Sequence, residues 1–328
     1  MQYEEKLRQE ARYWGENAHI LFQSGAIPYD FDRRKATHIT DPNIFRILSA
    51  RRSDPVAEEI WAGENIAYIL ELSKSCKDAI DLGCGGGWMT LELARSGIAV
   101  IGYDIGEGRL QMAREYYEKI RLEEPGVGTI IYKQADLNKL ELPPELIDLA
   151  VSIGTFHHIL ENRRLTHQVY NALRSGGYFI IMDVAEERVR FANRVGNFLL
   201  LLFLLPVPSY IPFASRILHV FFSFVSIFLG HDRTHHIKIV LKRVLLRNKK
   251  IAGGAPFEGA GMYTEEIVRS VFKKVDVSYR SSFGIRNRLN FKLKNRYAFL
   301  KLLNKIDNYF AGSKVCPGTV LFLVARKD

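Results

Sequence analysis

The segment Ala79–Ala94, AIDLGCGGGWMTLELA, decides how the rest of the chain is read. Its first half is an apolar run ending in glycine, which predicts a strand buried on both faces. Its second half has helical character and stops at the glycine of "RSG". Gly83, Gly85 and Gly87 form the turn between them. Glycine at such a turn permits left-handed backbone and lets a ligand come close. A dinucleotide-binding turn needs its third glycine one residue later, where this chain has Trp88. Asp81 precedes the first glycine by two residues. A carboxylate there would repel a pyrophosphate and suits a cationic ligand better.

Outward from this segment the pattern repeats. "IAVIGYDI", "TIIYKQAD", "LIDLAVSIG" and "YFIIMDVA" are predicted strands. "EGRLQMAREYYEKIRLEE" and "NRRLTHQVYNALRSGG" are predicted helices, the latter ending at a double glycine. Such alternation implies a doubly wound α/β fold with a mostly parallel sheet. Near the C-terminus, "TEEIVRSVFKKV" is a predicted helix, and "DVSYRSSFG" and "GTVLFLVARK" complete seven strands. The chain divides into an N-terminal helical cap (1–76), the core (77–185), an apolar and basic insertion (186–261) and the rest of the sheet with a basic helical segment (262–328).

Asp104 closes the second strand, where an acidic side chain can accept from the two hydroxyls of a ribose. Asp136 follows the third, placed to accept from an exocyclic amine. As bare residues, both also fit ordinary helix N-caps. Taken together, Asp-x-Gly-x-Gly-x-Gly, the acid ending strand two and Ala-Asp-Leu after strand three resemble the class I S-adenosylmethionine-dependent methyltransferases, type 11 group. The resemblance covers roughly residues 78–185 and the terminal strand pair. It implies a Rossmann-like seven-stranded fold and S-adenosylmethionine as cofactor, with S-adenosylhomocysteine as product. It implies that Asp81, Gly83, Cys84, Gly85 and Gly87 line the methionine side. Asp104 with Ile105 would hold the ribose and Asp136 with Leu137 the adenine. Ile153 and Gly154 border the methyl group.

After strand four comes "SIGTFHHILEN". In the family this loop faces the acceptor, which makes His157 and His158 candidate general bases. Their alternative is to pack the following helix. Relatives that methylate exocyclic amines of bases carry an Asn/Asp-Pro-Pro-aromatic run here. This chain has "GTFHH", so a nucleic-acid partner is not expected. Tyr13, Trp14 and Tyr29 are expected lid aromatics by the same family analogy.

Three cysteines, Cys76, Cys84 and Cys316, fit no disulfide or zinc spacing, and the polar N-terminus lacks a signal-peptide profile. A cytoplasmic catalytic part is expected. His231, His235 and His236 lack a spaced carboxylate or thiol partner, so no metal site is expected.

The formal charge is +10, and between Arg188 and Lys250 eleven Lys/Arg face one acidic residue, Asp232, which accounts for all of it. The same region holds "NFLLLLFLLPVPSYIPFASRILHVFFSFVSIFLG" (Asn197–Gly230). Both flanks belong to one sheet, so this insertion crosses a membrane twice or not at all. Each crossing needs ~20 apolar residues. Phe198–Leu205 and Ile217–Leu229 are too short and are separated by Pro206, Pro208, Pro212 and Arg216. A shallow hairpin in one leaflet is expected, with Phe198, Leu202, Leu205, Phe221, Phe222, Phe224 and Phe228 in lipid. Lys238, Lys242, Arg243 and Arg247 follow at interfacial-helix spacing for anionic headgroups. The alternative is a buried subdomain or an interface between copies. Because the insertion leaves the carboxyl end of strand five, where open sheets bind ligands, it is expected beside the donor site.

The expected protein is a monotopic methyltransferase on the cytoplasmic membrane face, acting on a lipid or lipid-linked acceptor (a polyprenyl-linked sugar, a quinone precursor or a phospholipid headgroup). Two alternatives stay open. One is a small-molecule or sugar O-methyltransferase that oligomerises through the insertion. The other is a non-catalytic donor-binding or RNA-binding protein.

Overall fold

The computed structural model describes residues 3–12, 30–35, 55–184, 263–280, 296–311, 318 and 320–328. The insertion at 186–261, Cys316, and Tyr13, Trp14 and Tyr29 lie outside the described residues. Residues 3–12 are helical (α1). Then follow α2 (Pro55–Ser73), β1 (Asp78–Leu82), α3 (Trp88–Arg95), β2 (Ala99–Asp104), α4 (Glu107–Glu123), β3 (Ile130–Gln134) and β4 (Ile147–Ile153). A single 3-10 turn at Phe156–His158 leads to α5 (Asn162–Ala172) and β5 (Leu173–Val184). The remaining elements are α6 (Thr264–Arg269), β6 (Lys274–Arg280), α7 (Arg296–Ala311) and β7 (Val320–Arg326).

The seven strands form one sheet in the order β3-β2-β1-β4-β5-β7-β6. β1 to β5 pair in parallel, and β7 runs antiparallel between β5 and β6. The strand order reverses beside β1, so its carboxyl end opens onto the crevice where such sheets bind ligands. Period-two alternation feeds two cores. Ala79, Val100, Leu149, Val151 and Ile180 pack with Leu91, Leu110 and Tyr116 of α3 and α4. Ile80, Leu82, Ala150, Phe179 and Ile181 pack with Leu165, Val169 and Phe272 on the other face. Among the described residues, no helix is long and apolar enough to cross a membrane.

Two boundaries differ from the sequence expectation. The strand after α5 begins at Leu173 rather than after the double glycine, because the chain bulges there. The β4–β5 register shifts between Ile147 and Leu149, and Gly176 takes a positive φ of 80° inside the bulge. The predicted helix "TEEIVRSVFKKV" is helical only at Thr264–Arg269. Phe272 then turns into the core, 1% exposed.

Residues 30–35 are tied to α3 and α4 by buried charge. Arg95 is the hub: it donates to Asp32 (2.8 Å), Glu92 (2.9 Å) and Glu124 (2.8 Å), with its side chain 4% exposed. Arg34 bonds Glu92 at 2.6 Å, and Tyr116 donates to Asp32 at 2.9 Å. Burial would raise the Asp32 carboxyl, but hydrogen bonds from Arg95 and Tyr116 outweigh it and hold it below the usual 3.8. Removing one partner of such a network leaves a buried charge uncompensated. Arg95→Ala should therefore lose about 3–5 kcal/mol in urea unfolding at neutral pH. A depressed carboxyl stabilises the fold above its unfolded pKa and stops doing so as pH falls through the folded value. The gap between parent and variant should narrow below pH 3.8.

Candidate active site

The turn predicted from Gly83, Gly85 and Gly87 sits at the carboxyl end of β1, with left-handed backbone at all three (φ 75°, 58° and 85°). Gly83 and Cys84 both donate their N–H to the Tyr103 carbonyl, at 2.7 and 2.9 Å. This locks the turn to the end of β2. Gly83 is also irreplaceable on space, since a Cβ there would lie inside the Thr155 side chain. Thr155 in turn donates its hydroxyl to the Gly83 carbonyl at 3.1 Å. Strand ends β1, β2 and β4 thus close around one point.

Asp104 lies beside that point. Its Oδ2 accepts from Gly85 N and its Oδ1 from Gly106 N, both at 2.8 Å. Each oxygen keeps a lone pair for a further donor. Asp136 accepts from Asn138 N at 3.0 Å on Oδ1 and from the Tyr3 hydroxyl at 2.7 Å on Oδ2. Burial, then the Asp136 hydrogen bond, raises the Tyr3 phenol well above its ordinary value. Asn138 uses its Oδ1 to hold Leu160 N and Glu161 N, joining the Asp136 loop to the loop after β4.

Asp81 is placed differently from the sequence picture of a carboxylate bordering the ligand. It is 1% exposed and its Oδ2 accepts from the Thr90 hydroxyl at 2.7 Å, beneath the turn. Burial pushes its carboxyl up to about 7, against the lowering pull of the Thr90 bonds and with Asp104 adding to the rise. Cys84 (5% exposed) and Leu137 (6%) are buried core neighbours of the turn. Burial, with Asp104 and Asp81 close, raises the Cys84 thiol well above its ordinary value. Ile105 and Ile153 are half-buried. Gly154 has φ 66° with open space where a side chain would stand.

His157 is held by a carboxylate, and His158 lies near a second one. His157 donates its backbone N–H to Asp183 Oδ2 at 2.9 Å, and its Nδ1 lies 2.6 Å from Asp183 Oδ1. His158 Nδ1 lies 3.1 Å from Glu10 Oε1 of α1. The rings lie 4.0 Å apart between centroids, tilted by 45°. Arg109, in the first turn of α4, pairs with Asp30 and lies over Gly85. Tyr3, Glu10, Asp30, Arg109 and Thr155 are the site residues that sequence reasoning missed. Their partners lie far off in the chain, and nothing local marks them.

The donor set fits S-adenosylmethionine. Hydroxyls and an exocyclic amine need acceptors, which Asp104 and Asp136 offer at neighbouring strand ends. The ligand's positive charge is matched by the carboxylates of Asp104 and Asp136.

The seven-stranded sheet is the Rossmann-like methyltransferase fold, and residues 80–181, about a third of the chain, match the methyltransferase domain family. Among relatives, a ubiquinone biosynthesis O-methyltransferase from Photorhabdus laumondii is 25% identical over 123 residues, 37% of this chain and 49% of that protein. One of the same name from Marinobacter nauticus is 27% identical over 155 residues, 45% of this chain and 63% of that protein. The chain thus spans about half to three-fifths of these relatives. A solved S-adenosylmethionine dependent methyltransferase from Mesorhizobium loti superposes with TM-score 0.43 at 17% identity, covering 83% of this chain and 100% of that one.

The packing at Gly83 separates two glycine substitutions. Gly154→Ala meets only the left-handed penalty and should cost about 1 kcal/mol. Gly83→Ala adds steric displacement of Thr155 and should cost about 3 kcal/mol or more. Urea unfolding of the two variants measures the difference.

Proposed function

We propose that the protein is a methyltransferase that moves a methyl group from S-adenosylmethionine to a lipid or lipid-linked acceptor at the cytoplasmic face of a membrane. The observation that carries this reading is the position of Asp183. It holds the buried His157 in the loop after β4, and Val184 alone separates it from the end of the core at residue 185. The apolar, basic insertion therefore begins next to the acceptor loop. The relatives named for ubiquinone biosynthesis support an oxygen acceptor on a quinone precursor, a lipid.

S-adenosylmethionine supplies a methyl group already activated on a positively charged sulfur. The chain has to align the acceptor and receive its proton. The backbone of Gly83–Gly87, with Asp104 and Asp136, would hold the donor. His158 is the base in this reading. Its Nδ1 lies 3.1 Å from Glu10 Oε1. As the acceptor oxygen takes the methyl, its proton passes to His158 and Glu10 stabilises the resulting imidazolium. His157, held by Asp183, fixes the loop through its backbone and packs against the tilted ring of His158.

His158→Ala should lower kcat about 10²–10⁴-fold while donor affinity, read by calorimetry, stays near that of the parent. Glu10→Gln keeps the shape and loses the charge-assisted contact, so kcat should fall about tenfold. Parental turnover in both variants would remove His158 from the chemistry. For the acceptor, purified full chain is incubated with methyl-labelled donor and a total lipid extract. Label should move into the organic phase. Label confined to water-soluble small molecules would rule out a lipid acceptor.

A further inference from the structure

Helix α7 carries an apolar stripe that faces outward. Leu302, Ile306 and Tyr309 share one helical face and are 55%, 42% and 79% exposed. Ala298, one turn earlier, is exposed as well. The polar Asn304 and Asn308 are instead half-buried, and Asn304 donates to the Ile60 carbonyl of α2 at 3.0 Å. Lys301 and Lys305 are exposed beside the apolar face. A helix face bordered by water is ordinarily polar. An outward apolar stripe flanked by lysines matches a lipid interface with anionic headgroups.

Its place in the fold agrees. α7 packs on α2 and β6. Its last residue, Ala311, accepts from Gly318 N at 3.2 Å, and Gly318 lies against the backbone of Arg280. Sheet register sets Val320 opposite both Val184 and Arg280. The ends of β5 and β6, the start of β7 and the end of α7 therefore share the carboxyl rim of the sheet. Asp104 and the loop of His157 and His158 stand on that same rim. The basic insertion also departs there, after Val184.

We infer that α7 is an in-plane membrane-docking helix, seating its Leu302–Ile306–Tyr309 face in an anionic leaflet with Lys301 and Lys305 on the headgroups. Its 16 residues would reach about 24 Å, short of the ~30 Å hydrocarbon core, so it lies along the surface. Formed by described residues of the rim, it would hold the cleft mouth against the bilayer. The inference rests on the lipid reading of function above.

The test uses the full chain with mixed phosphatidylcholine–phosphatidylglycerol vesicles. Leu302→Trp reports seating, since its fluorescence above that of the parent should be quenched by brominated acyl chains. Leu302→Glu with Ile306→Glu, and separately Lys301→Glu with Lys305→Glu, should each weaken vesicle partitioning about tenfold or more. Vesicle binding at parental strength in both double variants, with an unquenched Leu302→Trp, overturns the role of α7 and leaves the membrane reading intact. Failure of the parent chain itself to bind these vesicles overturns both. A parent that sediments as a dimer, and becomes a monomer in Leu302→Glu with Ile306→Glu, overturns the inference in favour of contact between copies. Should that acidic pair fail to fold, the quenching of Leu302→Trp decides alone.

Discussion

The carbonyl of Tyr103 accepts two N–H groups, from Gly83 and Cys84, and the rest of the site hangs from that fork. It can form only if the chain leaves β1 in the left-handed region, which glycine adopts without penalty. Once formed, it sets the turn against the end of β2 and brings Gly85 N onto Asp104. Thr155 then fits against Gly83 because no side chain intervenes, and this fixes where the loop after β4 begins. The histidine pair follows within three residues. A displaced first glycine would thus misplace the donor acceptors and the candidate base together.

A second constraint is charge. Burial beneath the turn, with Asp104 near, makes Asp81 hold its proton toward neutral pH, while Asp104 and Asp136 stand at the neighbouring strand ends. Arg109 sits close enough to offset part of this, but it is committed to Asp30. A cluster of this sign attracts a cation and disfavours phosphate-rich ligands. Residues 30–35 enter the same balance from outside the sheet. Arg33 stacks on Trp88 at 3.1 Å, and Asp32 and Arg34 join the network around Arg95.

The sheet was legible in the sequence because each strand is a short apolar run between turn residues, and buried parallel strands need little else. Gly83, Gly85, Gly87, Asp104 and Asp136 were legible because their spacing follows the strand–turn–helix rhythm. What could not be read was contact across the chain. Tyr3 meets Asp136 and Glu10 meets His158, each more than a hundred residues apart. Nothing in "EEKLRQEARYW" says which polar side chain turns inward. The side-chain direction of Asp81 was also hidden, since residue order does not tell whether a carboxylate at a strand end faces the cleft or Thr90. The early start of β5 was masked by helix formers running into the bulge at Gly176.

The phenol of Tyr3 already occupies one oxygen of Asp136. Whatever amine comes to that carboxylate trades places with an internal surrogate or shares the site with it. Measured affinity there is a difference between two bonds, as in any exchange equilibrium. Tyr3 is thereby linked thermodynamically to ligand uptake at a carboxylate 133 residues further along the chain.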